Sequence, residues 1–242
     1  MNSSSIVFRQ LFERVSCTYT YIVGCKATRK AAIIDPVKET ADRDAKLLRE
    51  LGLDLIYGLN THVHADHITG TARLAIFFPG MQSVLSTEAG GRAGLYVSHR
   101  QLLPLGDVTI EVRHTPGHTN GCVSYVLHRE KLAFTGDTLL IRRCGRTDFQ
   151  QGSSSALYDS VWNELFSLPD DFLLLPGHDY EGHSVTTVDE EKRLNPRLRG
   201  SKQEFIDIMN SLKLAQPKLI DQAVPANLRD GELESSPKQD SS

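Results

Sequence analysis

The sequence contains no Cys-x-x-Cys pair, so its four cysteines, Cys17, Cys25, Cys122 and Cys144, spell neither a zinc ribbon nor a dithiol redox motif. No apolar export segment follows Met1, and the four read as free thiols in a reducing compartment. Long apolar runs are missing too, and none approaches the roughly 20 residues a membrane helix needs, so a membrane partner is not expected. Nor is there an excess of positive charge. Lys plus Arg number 27 against 30 Asp plus Glu, a net charge of −3, so no global field draws nucleic acid to the chain. The first strand-like run starts at Ile6 and leaves only Met1 to Ser5 ahead of it, which leaves no room for a cleavable transit peptide.

What is present is a core and a concentration of histidine. With 242 residues and 40 % hydrophobic composition the chain can bury one large core, read as a single domain over 1–230. Ile6 to Phe12, Thr18 to Val23 and Ala31 to Ile34 are rich in β-branched and aromatic residues and read as a meander. Ala41, Ala45, Leu48 and Leu51 recur at helical spacing, predicting a helix from Thr40 to Leu51 that Gly52 stops. A short strand, Leu55 to Leu59, comes next. His67 to Phe78 reads as a second helix with Asp66 as its N-cap. Strands are then expected at Val84 to Ser86, Val108 to Arg113, Cys122 to Leu127, Leu132 to Phe134 and Phe172 to Leu175, with a helix around Leu157 to Phe166 before the last. This order predicts an α/β chain of four layers, αββα, with helices on the outer faces of two packed sheets. Beyond Glu190 one amphipathic helix is expected, near Lys202 to Leu212, and residues 231–242 read as a disordered tail.

The chemistry starts where Leu59 ends. Thr61-His62-Val63-His64-Ala65-Asp66-His67 follows a buried strand directly, and His62 and His64, two apart, face one side of an extended chain. His118 in TPGHT, Asp137 in FTGDT and His178 in LLLPGHD occupy equivalent strand-end settings, each beside a glycine that lets the backbone turn closely around a site. One strand-end histidine is most often a hydrogen-bonded surface group. So many imidazoles and carboxylates at strand ends would be costly to gather in one pocket without a cation, and a metal is therefore expected.

The string H-x-H-x-D-H with the later His, Asp and His resembles the metallo-β-lactamase superfamily. Four longer stretches, THVHADHITGTARL, AFTGDTLLIRRCGRTDFQQGSS, PGHDYEGHSVTTVDEEKRLNPRL and AVPANL, resemble the persulfide dioxygenase family within it, over about Phe8 to Leu228. The resemblance implies the αββα metallo-β-lactamase sandwich and a single iron, Fe(2+), held by His62, His118 and Asp137, with three positions left for a persulfide sulfur and O2. It implies that glutathione persulfide is oxidised to sulfite and glutathione, with Arg146, Tyr180 and Arg197 holding the glutathione part. His64, Asp66, His67 and His178 would then support the ligands and line the pocket. Spacing alone leaves another arrangement open, in which those four residues and a bridging Asp137 hold a second ion, giving two Zn(2+).

That arrangement is the glyoxalase II type of thioester hydrolase, the alternative function. Such enzymes carry a substantial C-terminal helical domain, whereas only 64 residues follow His178, which favours the dioxygenase. The resemblance also implies a homodimer and the mitochondrial matrix, with the cytoplasm as the alternative because no transit peptide is visible. Cys144 reads as a packed thiol rather than a nucleophile. Two positions depart from the family pattern, Arg143 in place of Gly and Gly177 in place of Ala, and neither is expected to touch a ligand. Asp230 stands where some relatives carry Cys, so thiol regulation is not expected there.

Overall fold

The computed structural model describes residues 5–232. The first sheet is built from β1 (Ile6–Glu13), β2 (Thr18–Cys25), β3 (Lys30–Ile34), β4 (Asp54–Leu59), β5 (Gln82–Ser86) and β6 (Leu95–Val97), in that spatial order. Its first three strands are antiparallel, and from β3 onward neighbours run parallel. The second sheet contains β7 (Leu102–Leu105), β8 (Val108–His114), β9 (Val123–Leu127), β10 (Leu132–Gly136), β11 (Leu173–Pro176) and β12 (Thr186–Thr187), also in chain order. Only β10 and β11 pair in parallel there.

Period-two alternation decides which layer each side chain enters. On β3, Ala32 and Ile34 point into the core between the sheets while Ala31 and Ile33 meet α1 (Ala41–Glu50) on the outside. On β10, Leu132 and Phe134 enter the inter-sheet core, and Ala133 faces the opposite layer, which contains α3 (Ser154–Ser160) and α5 (Lys202–Ser211). The expected four-layer αββα sandwich is what forms.

Several details differ from the sequence reading, among them the short strands β6, β7 and β12, which it did not include. The second helix, α2, spans only Thr71–Phe77 and is preceded by Gly70, so Asp66 is not its N-cap. The physical reason lies in Asn227, on α6 (Ile220–Asn227), which donates from Nδ2 to the carbonyls of His64 and His67 and accepts from Thr69 N. Those backbone groups are satisfied in a loop and have no need of a helix. Helix α6 itself went unpredicted because Pro225 sits inside it. A short helix α4 (Val188–Leu194) was also unforeseen, and α3 continues as one π turn over Val161–Leu165. The expected tail is described only for Gly231 and Glu232, and the rest of it lies outside the described residues.

Candidate metal centre

The strand ends place the predicted residues in one cleft. β4 leads into the Thr61–His67 loop, β10 into Asp137 and β11 into His178, while His118 comes from the β8–β9 connection. The two sheets are tied beneath the cleft by a bridge between Thr18 and His178 and by Tyr19 N donating to Gly177 O at 2.8 Å.

Ligand atoms of His62, His118 and Asp137 lie within 4.8 Å of one another. Their partners fix the tautomers. His118 Nδ1 is 2.7 Å from the Arg146 carbonyl, which can only accept, so Nδ1 carries the proton and Nε2 offers a lone pair. That Nε2 is 3.7 Å from Asp137 Oδ2. For His62, Nδ1 meets Thr61 Oγ1 at 2.9 Å, and the hydroxyl already donates to Asp35 Oδ2 at 2.8 Å. His62 must therefore donate from Nδ1, leaving its Nε2 bare as well.

His64, Asp66 and His67 form a second group within 4.8 Å. His64 Nε2 bonds Asp35 Oδ1 at 3.1 Å and His67 Nδ1 bonds Asp66 Oδ2 at 2.9 Å, while His64 Nδ1 and His67 Nε2 are buried without any partner. His178 lies between two carboxylates, with Nδ1 2.6 Å from Asp137 Oδ1 and Nε2 2.9 Å from Asp66 Oδ2.

Electrostatics follow from this packing. Burial works against a charge on His178, but Asp137 and Asp66 overcome it and raise its pKa well above the ordinary value. Burial likewise opposes ionisation of Asp137, and the pull of His178, with His118 and His62 behind it, still lowers that carboxyl well below the usual range. For His62 the same two carboxylates, Asp137 and Asp66, compensate too little. Burial and the neighbouring rings of His64 and His118 push it well below ordinary and keep it neutral, the form a metal needs.

Above the cluster the cleft widens to about 680 Å³ and takes in Arg143, Arg146, Tyr180, Arg197 and Lys218. Tyr180 stacks on His178 with ring centroids 6.2 Å apart. Arg197 Nη1 donates to Cys144 O at 3.2 Å. Arg146 is held by Asp148 through Nε and Nη2, each at 2.7 Å, and donates to Ala215 O at 2.6 Å, so it fastens the 214–219 rim to the cleft wall. Cys144 is a buried thiol beside Met209 Sδ, with burial pushing its pKa up to about 11, as a packed rather than reactive group requires.

One expectation is corrected. Gly177 was expected to touch no ligand candidate, yet a Cβ there would fall 2.7 Å from Asp137 Oδ1, because β10 and β11 run side by side into the site. Arg143 instead points to the rim and pairs with Glu181. Sequence reasoning also missed Asp35, which receives Thr61 N, Thr61 Oγ1 and His64 Nε2. Its signal was there: Asp35 follows β3 as directly as Asp137 follows β10.

Residues 92–178 match the Metallo-beta-lactamase superfamily. Persulfide dioxygenase ETHE1, mitochondrial, of Homo sapiens is 53 % identical over 230 residues, spanning 95 % of this chain and 91 % of the relative. Hydroxyacylglutathione hydrolase GloC of Haemophilus influenzae is 35 % identical over 192 residues, 70 % of this chain and 88 % of the relative. The crystal structure of ETHE1 from Myxococcus xanthus superposes with a TM-score of 0.91 at 49 % identity, covering 93 % of this chain and 100 % of that one.

Proposed function

Since the chain belongs to the persulfide dioxygenase family of the metallo-β-lactamase fold, a sulfur dioxygenase acting on a persulfide with O2, we propose that it oxidises glutathione persulfide at one iron held by His62, His118 and Asp137. The observation that carries this reading is the donor set: two bare Nε2 atoms and one ionised carboxylate, grouped within 4.8 Å, fit a two-histidine, one-carboxylate iron site. Held by these three side chains, an iron would supply the redox chemistry that lets O2 oxidise a persulfide sulfur. The overall change balances as glutathione persulfide plus O2 plus water giving glutathione plus sulfite. The outer sulfur loses four electrons, and O2 gains them.

The chain's own residues do the rest. Asp35 and the Arg146 carbonyl keep the protons of His62 and His118 on Nδ1, so both rings present lone pairs. His178 holds one oxygen of Asp137 and leaves Oδ2 on the side of His118. Arg146, Arg197 and Tyr180 line the path to the site, and the two guanidinium heads suit the carboxylates of glutathione. Residues 1–230 form one catalytic domain in this reading, the assembly is a homodimer, and the mitochondrial matrix is the proposed compartment, with the cytoplasm as the alternative.

A second reading has one observation in its favour. The partnerless His64 Nδ1 and His67 Nε2 beside Asp66 are what a second ion would use, as in a two-zinc thioester hydrolase. Metal content and oxygen uptake decide between them. About one iron per chain, with O2 consumed only when glutathione persulfide is added, is expected. Two zinc ions per chain with thioesterase activity and no oxygen uptake would overturn the dioxygenase reading.

A further inference from the structure

We propose that Glu191 is a positioning residue for His118, acting through the Arg142–Arg146 segment whose shape its carboxylate sets. The inference rests on the reading above only for the metal-binding role of His118.

Glu191 lies on α4 and has no solvent exposure. Its Oε2 accepts from the backbone N of Arg142 at 3.0 Å and from Asn195 Nδ2 at 2.8 Å, and its Oε1 accepts from Thr186 Oγ1 at 2.9 Å and from the Arg142 guanidinium. A carboxylate offers about four acceptor positions, and all are used. Two of these bonds come from one residue, so Glu191 grips Arg142 by both backbone and side chain. Arg142 has φ +59°, a left-handed conformation that a non-glycine residue keeps only when its surroundings impose it.

From Arg142 the constraint runs along the chain to the cluster. Leu140 and Arg143 exchange backbone bonds at 3.1 Å each, and the Asn195 amide that serves Glu191 also donates to Arg143 O at 3.1 Å. Gly145 N donates to Asp137 O at 2.8 Å, and the missing side chain lets the segment lie against His118, where a Cβ would come within 2.9 Å of Cγ and Nδ1. The next carbonyl, that of Arg146, takes the His118 Nδ1 proton at 2.7 Å. The same turn presents Cys144 O to Arg197. A carboxylate on a remote helix thus decides where the acceptor for His118 stands. If Glu191 served only to anchor α4, the His118 bond would not depend on it.

The test uses the full-length chain loaded with zinc as a diamagnetic probe, and reads the His118 Nδ1 proton by 15N-histidine NMR together with zinc affinity by chelator competition. The resonance is assigned by its loss in His118→Gln. In Glu191→Gln the amide NH2 faces a donor, so the His118 resonance is expected to shift or broaden and zinc affinity to fall about 10- to 100-fold. Arg142→Asn, which tolerates the left-handed backbone but lacks the guanidinium, is expected to move both readouts in the same direction by less. If Glu191→Gln does not fold, Arg142→Asn decides alone. A folded variant with an unmoved His118 resonance and zinc affinity within about twofold of wild type would overturn the proposal. Undiminished zinc affinity in His118→Gln would instead fault the metal assignment, while the resonance would still report whether Glu191 shapes the segment.

Discussion

Asp35 Oδ1 and His64 Nε2 are 3.1 Å apart inside the protein, and the same carboxylate takes the backbone N and hydroxyl of Thr61 at 2.7 and 2.8 Å. One buried acid therefore governs two consecutive histidines of the motif, His64 directly and His62 through the Thr61 hydroxyl. In Asp35→Asn one acceptor becomes a donor, and either Thr61 or His64 loses its partner. Metal affinity by chelator competition is expected to fall about 10- to 100-fold, with secondary structure kept. Wild-type affinity in Asp35→Asn would mean that the loop backbone alone holds the rings.

Gly177→Ala tests the opposite wall. An alanine Cβ would sit 2.7 Å from Asp137 Oδ1, well inside contact distance, so the carboxylate has to turn away and give up its 2.6 Å bond to His178. The backbone at 177 accommodates alanine, and the fold should persist. The expected outcome is a drop in metal affinity of about tenfold with little change in melting temperature. Unchanged affinity would show that Asp137 can turn without loss.

Away from the site, Glu111 offers a pH test. Burial would raise its carboxyl, but His128, Arg100 at 2.5 Å and Arg113 at 3.2 Å lower it to about 2 from an ordinary 4.5. A depressed folded value means stability that is fully present above pH 4.5 and is lost as pH falls from there towards 2. Urea unfolding should show wild type more stable than Glu111→Gln by about 2 kcal/mol at pH 7. The gap should close near pH 2, and a gap that stays constant with pH would rule out this charge cluster as its source.

The legible part of this protein was whatever rests on local pattern. Alternation along β3 and β10 named the strands and their buried faces, and the H-x-H-x-D-H string with His118, Asp137 and His178 named the residues the cleft brings together. The illegible part depends on partners far apart in sequence. Asp66 reads as a helix cap until Asn227, 160 residues on from His67, satisfies the loop backbone instead. Gly177 looks remote from Asp137 until β11 is laid beside β10. Arg146 is named as a substrate candidate by its motif, but no local pattern shows that it also bonds the Ala215 carbonyl, 69 residues on.

Metal stoichiometry across five variants separates the one-ion and two-ion readings. With a single iron on His62, His118 and Asp137, alanine at any of the three removes one of only three protein donors, and metal and activity should vanish together. Asp66→Ala and His178→Ala act differently in that case. Each breaks the Asp66–His178 pair, and His178→Ala also frees Asp137 Oδ1, so affinity or activity should fall about 10- to 100-fold while iron remains detectable. If His64, Asp66 and His67 hold a second ion, with His178 beside them, the same two variants remove a ligand of that ion. Metal content should then drop from two ions per chain to one, with the first site still filled. Elemental analysis of the purified variants beside wild type reads the difference directly. One ion per chain in wild type, Asp66→Ala and His178→Ala supports the iron assignment, and a fall from two to one in either variant would overturn it.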